Sequence, residues 1–215
     1  MRVLFLFLLA CGDSDKTPTP AESDPNSDEV DWDCDPLDPS RCLLPFPSTF
    51  FMEESEQTAS GWQVTIGETT IPRNIDLVQP DPFFYNEKDG FSPVTPIITH
   101  MPGATTAGLI GHENLGAYAD ADARTVIIDA ETGERVPHFA ELDMSTNDDE
   151  QRMLMIHPVS PMRHGGRYVV GIQGVVDEAG NPLAASEAFA ALRDDTTLGD
   201  PRVDSRRDTY EDIIF

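Results

Sequence analysis

The chain has 215 residues, a formal net charge of -25 and a sequence pI near 4.2. A field of that sign repels phosphate backbones and anionic headgroups, which argues against a nucleic-acid partner. With three cysteines and no Cys-x-x-Cys, the sequence lacks the spacing of a zinc ribbon.

Arg2 is followed by an apolar run from Val3 to Ala10 and then Cys11. A charged start, a short apolar core and a small residue before a cut have the form of a secretory signal peptide, predicted over 1–10. That run is too short to cross a hydrocarbon layer of ~30 Å as a permanent helix. Leu8-Leu9-Ala10-Cys11 resembles the lipobox of bacterial lipoproteins, with Leu9 standing where Ala or Ser is more usual. The resemblance implies that the mature chain begins at Cys11, that the Cys11 thiol carries the lipid, and that the membrane is a partner. It also implies residence in the cell envelope, on the outer membrane or cell surface. The alternative is an ordinary signal peptide with a chance Cys, or a misplaced start.

Residues 11–33 are acidic and proline-bearing, with almost nothing to bury, and are predicted to be a disordered linker. Asp31-x-Asp33-x-Asp35 resembles the opening of a calcium loop. Pro36 at the sixth position and Cys42 at the twelfth depart from the Gly and Glu an EF-hand requires. Cys34 and Cys42, left as a pair in an oxidising compartment, are read as a small-loop disulfide worth roughly 2–3 kcal/mol by chain entropy, with free thiols as the alternative. The strip from Leu43 through Pro45, Phe46, Pro47, Phe50 and Phe51 is predicted to run extended along the side of a sheet.

A series of strands follows. Trp62–Ile66 alternates apolar and polar residues and is expected to turn at Gly67-Glu68 into a hairpin with Thr69–Ile71. Pro96–Met101 reads as an edge strand, Thr125–Asp129 as a short buried one, and Arg135–Leu142 as another. Residues 143–150 form an acidic loop. Arg152–Pro158 and Arg167–Gln173 are strands about a turn at 162–166. The Asp177-to-Pro182 turn leads to 184–193, read as a strand although its helix propensity is also good.

The Leu-Pro-Phe-Pro strip (44–47) and the later Asp89-Gly90-Phe91-Ser92 resemble the N-terminal β-rich domain of virulence-type extracellular lipases. The order His157-Pro158, then Gly166-x-Tyr168-x-Val170, then Asp177-x-x-Gly180-Asn181-Pro182 resembles the last hairpins of bacterial Ig-like domains. The resemblance implies a mainly β fold, an Ig-like β-sandwich over 34–194 after the acidic linker. The remaining 195–215 is expected to be a linker and short C-terminal helix. That helix, capped near Asp204 or Ser205, carries an apolar stripe of Tyr210, Ile213 and Ile214 that stops within two turns of becoming amphipathic. A further hydrolase-like domain is therefore expected beyond it, the alternative being a helix docked back on the sandwich.

No catalytic, metal or cofactor residue is assigned. The chain holds no Gly-x-Ser-x-Gly elbow, and Gly90-Phe91-Ser92-Pro93-Val94 puts Pro where an oxyanion N–H is needed. His164-Gly165-Gly166 resembles a lipase oxyanion loop but runs straight into a strand, so it is read as a turn. His100, His112, His138, His157 and His164 show no metal spacing. Asp120, Asp122 and Glu113, or Asp143, Asp148 and Asp149, are read as solvated loops. Three functions stay open: a lipid-anchored, non-catalytic accessory domain of a larger lipase or esterase; a free-standing surface lipoprotein binding glycan, peptide or an envelope protein; and an enzyme assembled in space from Asp and His.

Overall fold

A computed structural model describes residues 2–4, 33–38 and 40–213; Cys11, the rest of the lipobox and linker residues 12–32 lie outside the described residues. The strands are β1 (Arg2–Leu4), β2 (Met52–Glu54), β3 (Trp62–Val64), β4 (Ile97–His100), β5 (Thr125–Asp129), β6 (His138–Leu142), β7 (Met153–Pro158) and β8 (Arg167–Ile172). The helices are short: α1 (Phe83–Asn86), α2 (Glu187–Arg193), α3 (Pro201–Asp204) and α4 (Arg207–Ile213). The fold is thus mainly β, and every strand pair is antiparallel.

Two three-stranded sheets, ordered β1-β8-β5 and β4-β7-β6, and the β2-β3 ribbon share one core. Alternation explains why. On β5 the buried Ile127 lies opposite Val170 of β8, while on the other sheet Ile97 and Ala140 flank Ile156 of β7. Strands of period 2 send every second side chain inward, and each aliphatic group fully buried there contributes roughly 1.5–3 kcal/mol. The three residues of β1 belong to the predicted signal peptide and pair with the free edge of β8, Val3 opposite Tyr168.

The strip after the clip lies along the edge of a sheet, as expected. Both Leu44-Pro45 and Phe46-Pro47 are cis, and Phe46 exchanges backbone hydrogen bonds of 2.9 and 2.7 Å with Ile98 on the edge of β4. Phe46 also meets Phe91 edge-on, with ring centroids 5.1 Å apart. The Leu-Pro-Phe-Pro and Asp-Gly-Phe-Ser motifs therefore touch, and their phenylalanines serve packing. Ser92 closes a turn, its carbonyl accepting from the Thr95 N–H.

Two expectations change. The hairpin of 62–66 with 69–71 does not form: β3 pairs backwards with β2, and the Asn86 side-chain amide bonds both the N–H and the C=O of Ile66, the groups a second strand would use. Residues 187–193 are helix rather than strand. Ser186 caps it by accepting from the Phe189 N–H, and Ala188, Ala191 and Leu192 place a buried stripe at helical spacing. That stripe meets Leu37 of the clip, Val203 of α3 and Tyr210 of α4 in a second, smaller core.

Candidate functional site

The nine residues from Cys34 to Cys42 form a disulfide-closed clip, the two Cα atoms 4.2 Å apart. Its two sides face different neighbours. On one, the fully buried Asp35 accepts from the Leu37 N–H at 3.0 Å, the Ser48 hydroxyl at 2.8 Å and the Arg206 guanidinium at 2.7 Å. Burial works against the charge of Arg206, but the Asp35 carboxylate more than offsets it, so its pKa lies above the ordinary value. The guanidinium also lies over the Phe50 and Tyr210 rings, 5.7 and 5.5 Å from their centroids. This pair fastens the start of the folded body to its last helices.

The other side of the clip borders a cleft of about 660 Å³ between the clip, the end of β4, the segment after β8, and α2. Leu37, Met101, Val175, Leu183 and Phe189 make its apolar wall. A cleft of this size with a few convergent polar groups has the dimensions of a small-molecule site. The polar group is Asp38, Ser40 and His100.

Ser40 Oγ donates to Asp38 Oδ1 at 2.7 Å and lies 3.2 Å from His100 Nδ1. His100 Nε2 donates to the Glu150 carbonyl at 2.7 Å, which leaves Nδ1 facing Ser40. Asp38 Oδ2, sealed from solvent and 3.7 Å from Nδ1, has no hydrogen-bond donor among the described residues. The Asp38 and His100 side chains are 9% and 8% exposed. The composition is that of a Ser-His-Asp triad, but the order is not. The carboxylate holds the serine instead of the far nitrogen of the imidazole, and the serine proton goes to it rather than to the base.

No family model, curated protein or solved structure matches this chain.

The other predicted features lie elsewhere. Cys34 and Cys42 are bonded as expected, while Cys11 is outside the described residues. His138 is fully buried, its Nδ1–H donating to the Val136 carbonyl and its Nε2 accepting from the Thr125 hydroxyl; burial pushes its pKa below the ordinary value. His157 pairs with Glu141 and stacks on Phe139, and His112 is exposed beside Glu113. Among the described residues, no group of three or more His, Cys, Asp or Glu side chains is placed to hold a metal ion. Nor is any helix among them long and apolar enough to cross a membrane.

His164-Gly165-Gly166 is a turn into β8, not an oxyanion hole: the Gly166 N–H bonds the Arg163 carbonyl, and the Tyr168 hydroxyl folds back to accept from the Arg163 N–H at 2.7 Å. A Cβ on Gly166 would come within 2.8 Å of the Tyr168 ring, so only glycine allows that closure. A second, larger groove of about 1120 Å³ runs from β3 past residues 165–167. Asp38, with its orphan carboxylate oxygen, borders the first cleft and not this groove.

Sequence reasoning passed over Asp38 and Ser40 and left His100 unassigned. The one available signal was Asp-Pro-Ser between two cysteines, a spacing at which an Asp side chain caps its own turn, as Asp38 Oδ1 does with the Ser40 N–H.

Proposed function

We propose that this chain is a lipid-anchored extracytoplasmic domain, held to the envelope through Cys11, that serves as the non-catalytic N-terminal accessory part of a larger lipase- or esterase-like protein. The observation that carries the reading is the Asp35–Arg206 pair beside the Cys34–Cys42 disulfide. It fastens the end of the proposed tether to the helices that lead toward Phe215, so that an anchor and a following domain would share one rigid junction. The contact between the two lipase-like motifs, Phe46 on Phe91, supports their belonging to one structural unit. An Ig-like sandwich is supported by two antiparallel sheets with one core and by the Tyr168-to-Arg163 bond, which has the form of the tyrosine corner of Greek-key sandwiches. On this reading β1 belongs to the precursor alone and leaves β8 when residues 1–10 are removed.

The two halves of the reading are tested separately. Cells fed an alkyne-labelled fatty acid should label the wild-type protein and leave Cys11→Ser unlabelled; an unlabelled wild type overturns the anchor. Sequencing the reading frame past Phe215 should show a Gly-x-Ser-x-Gly elbow, and a stop codon there overturns the accessory role. A free-standing ligand-binding lipoprotein is the second reading, favoured by the cleft beside His100.

A further inference from the structure

We propose that the cleft between the clip and α2 binds a small amphiphile through an ammonium head, with Asp38, Ser40 and His100 as its receptor. The site stands whether or not a hydrolase domain follows.

Counting donors and acceptors leads to this chemistry. Once His100 Nε2–H is given to the Glu150 carbonyl, the cluster contains three acceptors that face inward: Nδ1, Ser40 Oγ and the Asp38 carboxylate. Apart from the Ser40 backbone N–H on Asp38 Oδ1, the cluster has one proton for them, that of the Ser40 hydroxyl, and Asp38 Oδ1 takes it at 2.7 Å. With that proton on Asp38 Oδ1, Nδ1 at 3.2 Å from Ser40 Oγ receives none from it, and among the described residues Asp38 Oδ2 has no donor and this nine-tenths-buried carboxylate has no Lys or Arg within ion-pairing distance. Buried acceptors without donors and buried charge without a counter-charge both cost free energy, and a ligand that supplies both removes the two costs together.

A primary ammonium does so. It donates to the exposed Ser40 Oγ and to Nδ1, and its charge lies against the Asp38 carboxylate. The apolar wall of Leu37, Val175, Leu183 and Phe189 then takes the hydrocarbon body. Arg193 on the rim does not oppose this, because its guanidinium is bonded twice to Asp194 at 2.6 Å. The net charge of -25 draws cations toward the surface and disfavours a carboxylate ligand in the same place.

The test uses the full chain at pH 8 in 0.15 M salt, with n-hexylammonium, n-hexanol and hexanoate titrated in turn while amide shifts are followed. Hexylammonium is expected to bind at least tenfold more tightly than hexanol, and hexanoate more weakly than either, with shifts confined to 37–45, 99–102, 171–175 and 183–193. Asp38→Asn keeps the acceptor for the Ser40 N–H but removes the charge, and should bring hexylammonium to the level of hexanol. Ala185→Trp, an exposed rim substitution, should weaken both ligands and remains informative if Asp38→Asn does not fold. Equal binding of hexylammonium and hexanol to the wild type, shifts spread over the surface, or an undiminished preference in Asp38→Asn would each overturn the proposal.

Discussion

Replacing Arg206 with Met keeps much of the apolar stem and removes the guanidinium. The structure loses the 2.7 Å bond to Asp35 and the two ring contacts, while Asp35, fully buried, keeps among the described residues the Leu37 N–H and the Ser48 hydroxyl. Leaving a buried charge without its partner costs about 3–5 kcal/mol. For a domain of this size, about 3–5 kcal/mol corresponds to a Tm lower by roughly 10 °C. Urea unfolding of the wild type, Arg206→Met, Asp35→Asn and the double variant measures the pair as a cycle, and the double variant should recover at least half of the loss. A loss under about 1 kcal/mol in Arg206→Met, or strict additivity in the cycle, would show that the pair does not hold the helices to the clip.

Leu77 adopts φ 61° in a turn that Asn74 braces by accepting from the Asp76 and Val78 N–H groups, and its side chain is largely exposed. Since a side chain in that region costs roughly 1–2 kcal/mol and here packs against little, Leu77→Gly should raise the urea midpoint by the equivalent of about 1 kcal/mol. His138 is held neutral by burial, so the unfolded chain takes up a proton at a pH where the folded one does not. Its contribution is therefore complete above the ordinary imidazole value of ~6.5 and is lost as the pH falls toward the depressed folded value. Urea midpoints at pH 7.5 and 5.5 should differ in the wild type, and His138→Gln should flatten the difference. Gly166→Ala, which drives a Cβ into Tyr168 and the Arg163 carbonyl, should cost at least about 1 kcal/mol in the same assay.

What was legible in the sequence follows from how local each signal is. The spans 125–129, 152–158 and 167–173 are short apolar runs bounded by polar and turn residues, a local signal that suffices for a strand, and the structure has strands there with burial alternating along each. The expected 62–71 hairpin fails because the partner of Ile66 is a side chain 20 residues away, Asn86, which no local pattern announces. For 184–193 a local signal competed with the Ig-like resemblance, which ends in a strand. Ser186 as a cap and an Ala-rich run favoured the helix, and tertiary packing of Ala188 and Leu192 on Leu37 decided it. The candidate site is the least local feature of all. Ser40 and His100 are 60 positions apart, and only the Phe46–Ile98 bridge, which lays the proline strip on β4, brings the clip to the end of that strand.

The clip therefore does two mechanically separable jobs. Asp35 on one side anchors the helices, and Asp38 with Ser40 on the other completes the cleft, with the disulfide bracing the loop that carries both. Replacing Cys34 and Cys42 together by Ser should cost about 2–3 kcal/mol from loop entropy alone. It should also blunt the preference of the cleft for hexylammonium, since Asp38 and Ser40 lose their common frame. Arg206→Met, by contrast, should lower stability and leave that preference intact, because it touches only the Asp35 side. If both substitutions changed stability and ligand preference in the same proportion, the clip would be acting as a single element, and the two sides would have to be treated as one coupled site.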